Sequence, residues 1–128
     1  MPDLEPGDDW VAIRYNTMTD RDALDRSART AFVVSGRRYY SVSMFTRPGM
    51  TAQEVAIDVA SHSRVTTGRM RAVTLGTLRR AGFVPADYNP TTGHIEIRLP
   101  DRPDQAMWDL MVGLMGPPEP VPAIPMQG

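Results

Sequence analysis

The chain has no cysteine and no lysine among its 128 residues. Without cysteine there is no disulfide framework and no thiolate metal centre, which excludes a stapled secreted module and a zinc finger. Without lysine there is no Schiff base, no phosphate-loop lysine and no kinase-type lysine. Any anion must therefore be held by arginine forks, backbone N–H groups or histidine. Long apolar runs are missing too. The longest, Ala106 to Met115, is interrupted by Asp109 and falls far short of the about 20 residues a bilayer demands. The first residues, Met1-Pro2-Asp3-Leu4-Glu5, are acidic where a secretory signal needs positive charge, so a cytoplasmic protein with no membrane contact is expected. What is present, 41% apolar and 23% charged residues, suffices for one domain around one core.

The formal net charge of −1 hides a strong segregation. Residues 1–26 carry seven acids and three arginines, residues 27–86 two acids and nine arginines, and residues 87–128 six acids and two arginines. No acid lies between Asp58 and Asp87, where Arg64, Arg69, Arg71, Arg79 and Arg80 accumulate. Such a basic middle is either a surface for a polyanion or a region that the acidic flanks fold back to neutralise.

Local signals suggest ten elements. Trp10–Tyr15 is rich in aromatic and β-branched residues and predicts a strand. Thr19 before Asp20, Arg21 and Asp22 caps a short helix to about Ala28, with Leu24 and Ala28 facing inward. Thr30–Ser35 and Arg38–Phe45 flank Gly36-Arg37, the spacing of a two-residue hairpin. In the second of these strands Tyr40, Val42 and Met44 share one face, and Tyr39, Ser41, Ser43 and Phe45 the other. Thr51-Ala52-Gln53-Glu54 is a capping box that starts a helix running to about His62. Arg69–Val73 predicts a strand. Thr74 then caps a helix over Leu75–Ala81, which Gly82 stops. Phe83–Tyr88 and His94–Leu99 predict two strands joined by Asn89-Pro90-Thr91-Thr92-Gly93; the second has Ile95, Ile97 and Leu99 on one side and His94, Glu96 and Arg98 on the other. Asp101 and Pro103 open a last helix that Gly116-Pro117 ends after Met115. This order predicts an α+β fold, an antiparallel or mixed sheet with helices packed mainly on one face. The domain spans 1–116, followed by a proline-rich extended tail over 117–128.

The trio His94, Glu96 and Arg98 carries the most chemistry. Alternate residues of a strand sit about 7 Å apart, close enough to share one substrate group. Histidine with a carboxylate supplies general acid and base, and arginine steadies a phosphorane-like anion, so the trio can cleave RNA through its own 2′-hydroxyl. The simpler reading is an ordinary polar strand face. Arg37, Arg38 and Tyr39 at the hairpin tip form an arginine pair beside an aromatic, suited to single-stranded nucleic acid. Thr66, Thr67 and Gly68 among Arg64, Arg69 and Arg71 offer a backbone nest for phosphate. His62, near a helix C-terminus, reads as structural. Asp20, Asp22 and Asp25 lack the glycine and glutamate of a calcium loop, so neither metal nor cofactor is expected. The last helix is apolar over most of its circumference, leaving a narrow polar stripe of Gln105, Asp109 and Gly113; Met107, Trp108, Met111 and Met115 serve either the core or a homodimer or protein partner.

Within residues 75–115, Leu78-Arg79-Arg80-Ala81-Gly82-Phe83, then Thr92-Gly93-His94 opening a strand, then the final apolar helix, resembles HicA-type mRNA interferase toxins. Here Gly93 is followed directly by His94, without the serine of the family's Gly-Ser-His motif. The resemblance implies a fold like a double-stranded-RNA-binding domain and a catalytic role for His94. The leading expectation is thus a nucleic-acid-binding domain, RNA ahead of DNA. Its backbone contacts would be Arg37, Arg38, Arg64, Arg69, Arg71, Arg79 and Arg80, and its catalytic form would be a metal-independent endoribonuclease using His94, Glu96 and Arg98. The alternative is a non-enzymatic interaction module that assembles through the C-terminal helix and the proline tail.

Overall fold

A computed structural model describes residues 6–15, 25–26, 28, 40–61, 68–100 and 104–122. Strands β1 (Val11–Tyr15), β2 (Ser41–Arg47), β3 (Arg69–Thr74), β4 (Val84–Ala86), β5 (His94–Arg98) and β6 (Glu119–Pro120) form one antiparallel sheet in the order β4-β5-β2-β1-β3-β6. Helices α1 (Ala52–Ala60), α2 (Leu75–Arg80) and α3 (Gln105–Leu114) cover it, so the fold is α+β with an antiparallel sheet. The Gly36-Arg37 hairpin turn, its first strand Thr30–Ser35 and His62 lie outside the described residues. Of the helix expected to end near Ala28, Asp25, Arg26 and Ala28 are described and helical, and Ala28 is fully buried.

Each end of a helix is set by a local hydrogen bond. The Thr51 hydroxyl accepts from Glu54 N while the Glu54 carboxylate accepts from Thr51 N, the reciprocal capping box read from the sequence. Thr74 caps α2 by accepting from Thr77 N, and Gly82 follows at φ 96°, the left-handed conformation that only glycine adopts without penalty. The last helix starts later than Asp101 suggests. Asp104 is the cap, its carboxylate accepting from Met107 N at 2.8 Å. The choice between two aspartates depends on where the chain leaves the sheet, which no local signal encodes.

Cross-strand register decides which residues share a face. Val42 lies opposite Ile97 and Met44 opposite Ile95, and Ala12 opposite both Thr46 and Val73. This face carries the main core, in which α2 and α3 contribute Leu75, Leu78, Trp108, Met111 and Val112. Trp10 meets Tyr88 edge-on there, with ring centroids 5.3 Å apart. The opposite face holds a smaller core, where α1 lays Val55, Ala56 and Val59 over Ile13 and Met70. Two of the three described helices therefore share one face, with α1 alone on the other.

The proline-rich segment is not wholly a tail. Glu119 and Pro120 pair with Met70 and Arg69, Val121 N donates to Gly68 O at 3.0 Å, and Val121 packs on the smaller core. The domain thus extends past Gly116. Pro120 is tolerated because β6 is the edge of the sheet, where one side of the backbone needs no ladder partner.

Met111 is fully buried between α3 and the sheet. Met111→Ala should remove about 2–5 kcal/mol of stability, seen in denaturant titration as a lower midpoint at unchanged slope.

Candidate functional site

The residues that carry chemistry meet where β2 and β5 pair, on the face of the smaller core. Register sets Ser43 opposite Glu96, Ser41 opposite Arg98 and Phe45 opposite His94. Because Val42 and Met44 must enter the main core, Ser41, Ser43 and Phe45 are forced to the other side. The same alternation in β5 brings His94, Glu96 and Arg98 to meet them.

Glu96 is buried, 5% exposed, which separates this strand face from an ordinary solvated one. A buried carboxylate needs hydrogen bonds to both oxygens. Ser41 Oγ donates to Oε2 at 2.8 Å and Ser43 Oγ donates to Oε1 at 3.0 Å. The His94 Nε2 atom lies 3.4 Å from Oε1, an electrostatic contact longer than a good hydrogen bond. His94 itself is 33% exposed, its ring meeting Phe45 edge-on at 5.7 Å, and Phe45 in turn meets Tyr15 at 6.1 Å. The arrangement is an accessible imidazole steadied from below by an anchored carboxylate. Such a pair can take up a proton and stabilise the resulting cation.

The turn that delivers His94 is held from several sides. Gly93 sits at φ 82°, where a side chain would be strained, and a Cβ there would meet Thr46 O at 3.2 Å. Gly93 N donates to Asn89 O at 2.7 Å, Thr46 N donates to Gly93 O at 2.8 Å, and His94 N donates to Thr92 Oγ1 at 3.2 Å. Arg47 ties the turn to α1. It donates to the carbonyls of Pro90 and Thr91 and pairs with Asp58 at 2.8 Å, the hydrogen bond that raises its pKa.

The other sequence-derived residues are scattered. Arg37, Arg38, Tyr39 and Arg64 lie outside the described residues, as do Thr66 and Thr67 of the nest. Arg79 pairs with Asp8 at 2.5 Å and donates to Pro6 O at 2.6 Å, so at this point an acidic flank does neutralise the basic middle. Arg80 is exposed and donates to Thr77 Oγ1. Arg71 points to α3, donating to Val112 O at 3.5 Å, and Arg69 is exposed two residues earlier. Arg69 and Arg71 share the α3 face of the sheet, opposite His94, while Arg79 and Arg80 follow the far end of β3. The described arginines thus form no single basic surface. The expectation of a partner-binding stripe on the last helix is corrected. Trp108, Met111 and Met115 are buried in this chain's own core and Met107 packs against it, because the sheet face they cover is as apolar as they are. Among the described residues, no three metal-ligating side chains converge, and no helix is long and apolar enough to cross a membrane.

Ser41 and Ser43 escaped the sequence reading as site residues, although their shared face with Phe45 was legible. The missing information was that β2 pairs with β5. Arg14, the last residue but one of β1, escaped as well. It donates to Ser43 O at 2.7 Å from the opposite face; burial lowers its pKa, and the charge of Glu96 offsets part of that shift.

No family model, curated protein or solved structure matches this chain.

Two predictions follow from burial. Glu96→Ala strips Ser41 Oγ and Ser43 Oγ of their acceptor and should destabilise by about 1–3 kcal/mol, measured by chemical denaturation. The Tyr15 hydroxyl is buried without a partner, and burial raises its pKa. The unfolded chain therefore loses this proton first, and the associated stability is complete below about pH 10 and lost as pH rises through the higher folded value. Tyr15→Phe should leave neutral-pH stability equal or higher and flatten the alkaline loss, read from denaturant midpoints between neutral and strongly alkaline pH.

Proposed function

We propose that the protein acts on single-stranded RNA and cleaves it at His94 by transfer to the neighbouring 2′-hydroxyl. The observation that carries this reading is the accessible His94 imidazole 3.4 Å from Glu96, a carboxylate buried and anchored by two serines. An accessible imidazole on a strand face needs no such support for folding. A general base does, because the cation it becomes must be stabilised without moving.

The reaction needs three roles. His94 takes the proton of the 2′-hydroxyl as the 2′-oxygen attacks phosphorus. Arg98, exposed on the same face of β5 about 14 Å along the strand from His94, reaches back with its long side chain to neutralise an oxygen of the phosphorane. The bond from phosphorus to the 5′-oxygen then breaks, and that oxygen receives the proton back from the imidazolium. The products are a 2′,3′-cyclic phosphate and a 5′-hydroxyl. No metal or cofactor has a role in these steps. Phe45 beside His94 adds an aromatic edge that suits an unstacked base. The resemblance of residues 75–115 to HicA-type mRNA interferases points to the same histidine.

The test uses an end-labelled mixed-sequence RNA with the purified protein in EDTA at two salt concentrations. The expected result is salt-sensitive binding and cleavage to cyclic-phosphate ends, with His94→Ala slowing cleavage by about 10²–10⁴-fold. Absence of cleavage, or cleavage that His94→Ala leaves unchanged, overturns the catalytic reading. Absence of binding at low salt overturns the RNA reading altogether.

A further inference from the structure

We infer that Arg14, Arg69 and Arg71 form a binding site for a phosphate group on the sheet face opposite His94. Arg14 and Arg71 are directly opposite each other in the β1–β3 ladder. Side chains so paired have Cβ atoms about 5 Å apart, and like charges in that position destabilise a sheet. Arg69 joins them by alternation along β3, two residues from Arg71 on the same face. Three arginines therefore occupy neighbouring positions on one face at one end of two adjacent strands, the head of Arg14 reaching toward β2 and that of Arg71 toward α3.

Little that is described offsets their charge: Glu96, across the sheet, acts on Arg14. Among the described residues, none of the three stands in an ion pair, whereas Arg47 has Asp58 and Arg79 has Asp8. The Nε atoms of both Arg14 and Arg71 are buried without a partner. Of the five N–H donors on a guanidinium, Arg14 uses one on Ser43 O, and Arg71 uses one, at the long distance of 3.5 Å, on Val112 O. Those carbonyls orient the side chains without cancelling their charge. The C-terminal end of a helix such as α3 carries only about half a negative charge, against three positive groups. The next positions on this face, Ala12 and Val73, are apolar and buried, so water screens the repulsion poorly. If packing alone were required, an aliphatic residue at position 14 or 71 would meet it without repulsion.

A compact, doubly charged oxyanion resolves this arrangement. Arginine forks match phosphate bidentately, and a dianion that both Arg14 and Arg71 reach converts their repulsion into two attractions. The exposed Arg69 marks the open side from which such a group enters. The ligand class is a phosphate dianion, free or as the terminal monoester of a small molecule. This site is independent of the reaction assigned to His94, which lies across the sheet.

The experiment follows thermal unfolding of the full chain in titrations with inorganic phosphate, adenosine 5′-monophosphate and adenosine, at matched ionic strength. Saturable stabilisation by phosphate and by the monophosphate to similar extents identifies a free oxyanion as sufficient; stabilisation by the monophosphate alone identifies a phosphate monoester. Arg71→Lys keeps the charge but loses the fork and should weaken binding about tenfold, the effect of losing one charge-assisted bond. Arg69→Ala, at an exposed position, should fold normally and weaken binding severalfold. The inference is overturned if neither phosphate compound stabilises the wild-type chain, if adenosine matches the monophosphate, or if both variants bind like wild type.

Discussion

Ile95 opposite Met44 and Ile97 opposite Val42 hold the centre of the sheet, and because side chains alternate, this apolar register dictates what happens on the other face. A slip of one residue between β2 and β5 would bring Glu96 and His94 into the main core and expose the isoleucines. The main core therefore enforces the site. With the register set, Ser41 and Ser43 can only meet the row that carries Glu96, and two hydroxyls become the partners that make a buried carboxylate tolerable. Phe45 is brought to His94 by the same step.

The sheet separates two kinds of environment. On the face of α2 and α3 the apolar residues of β1, β2, β3 and β5 form a broad core, closed by Trp108 and Met111. On the face of α1 a smaller core of Ile13, Val55, Val59 and Met70 lies beside the polar group around Glu96. Arg47 ties that face together, linking Asp58 of α1 to the turn before His94. A change in α1 that removes Asp58 thus reaches the site through one side chain.

The segregation of charge along the chain resolves in three ways. Arg79 is returned to the acidic N-terminal flank through Asp8, and Arg47 to one of the two acids in its own basic stretch, Asp58. Arg14, Arg69 and Arg71 lie at one end of β1 and β3 without an ion pair among the described residues, Glu96 acting on Arg14 from across the sheet. The same composition therefore yields both neutralised structural arginines and a concentrated positive cluster. Spacing in sequence does not distinguish them, since Arg69 and Arg79 belong to one acid-free run.

By itself the sequence determined what is encoded within a few residues. The Thr51–Glu54 capping box, the Thr74 cap, the Gly82 stop and the alternation of His94 to Leu99 all act over one turn of helix or one strand, so their signals are local and complete. The α+β class followed from those elements. The tertiary structure alone decided which strands are neighbours, and with that the partners of every long-range contact. Ser41 and Glu96 lie 55 residues apart, and nothing near either one announces the other. The same holds for the opposition of Arg14 and Arg71, for the inward stripe of α3 and for β6 joining the edge at Arg69. Pairing energies are distributed over whole strands and both faces at once, so they are settled only when the core closes.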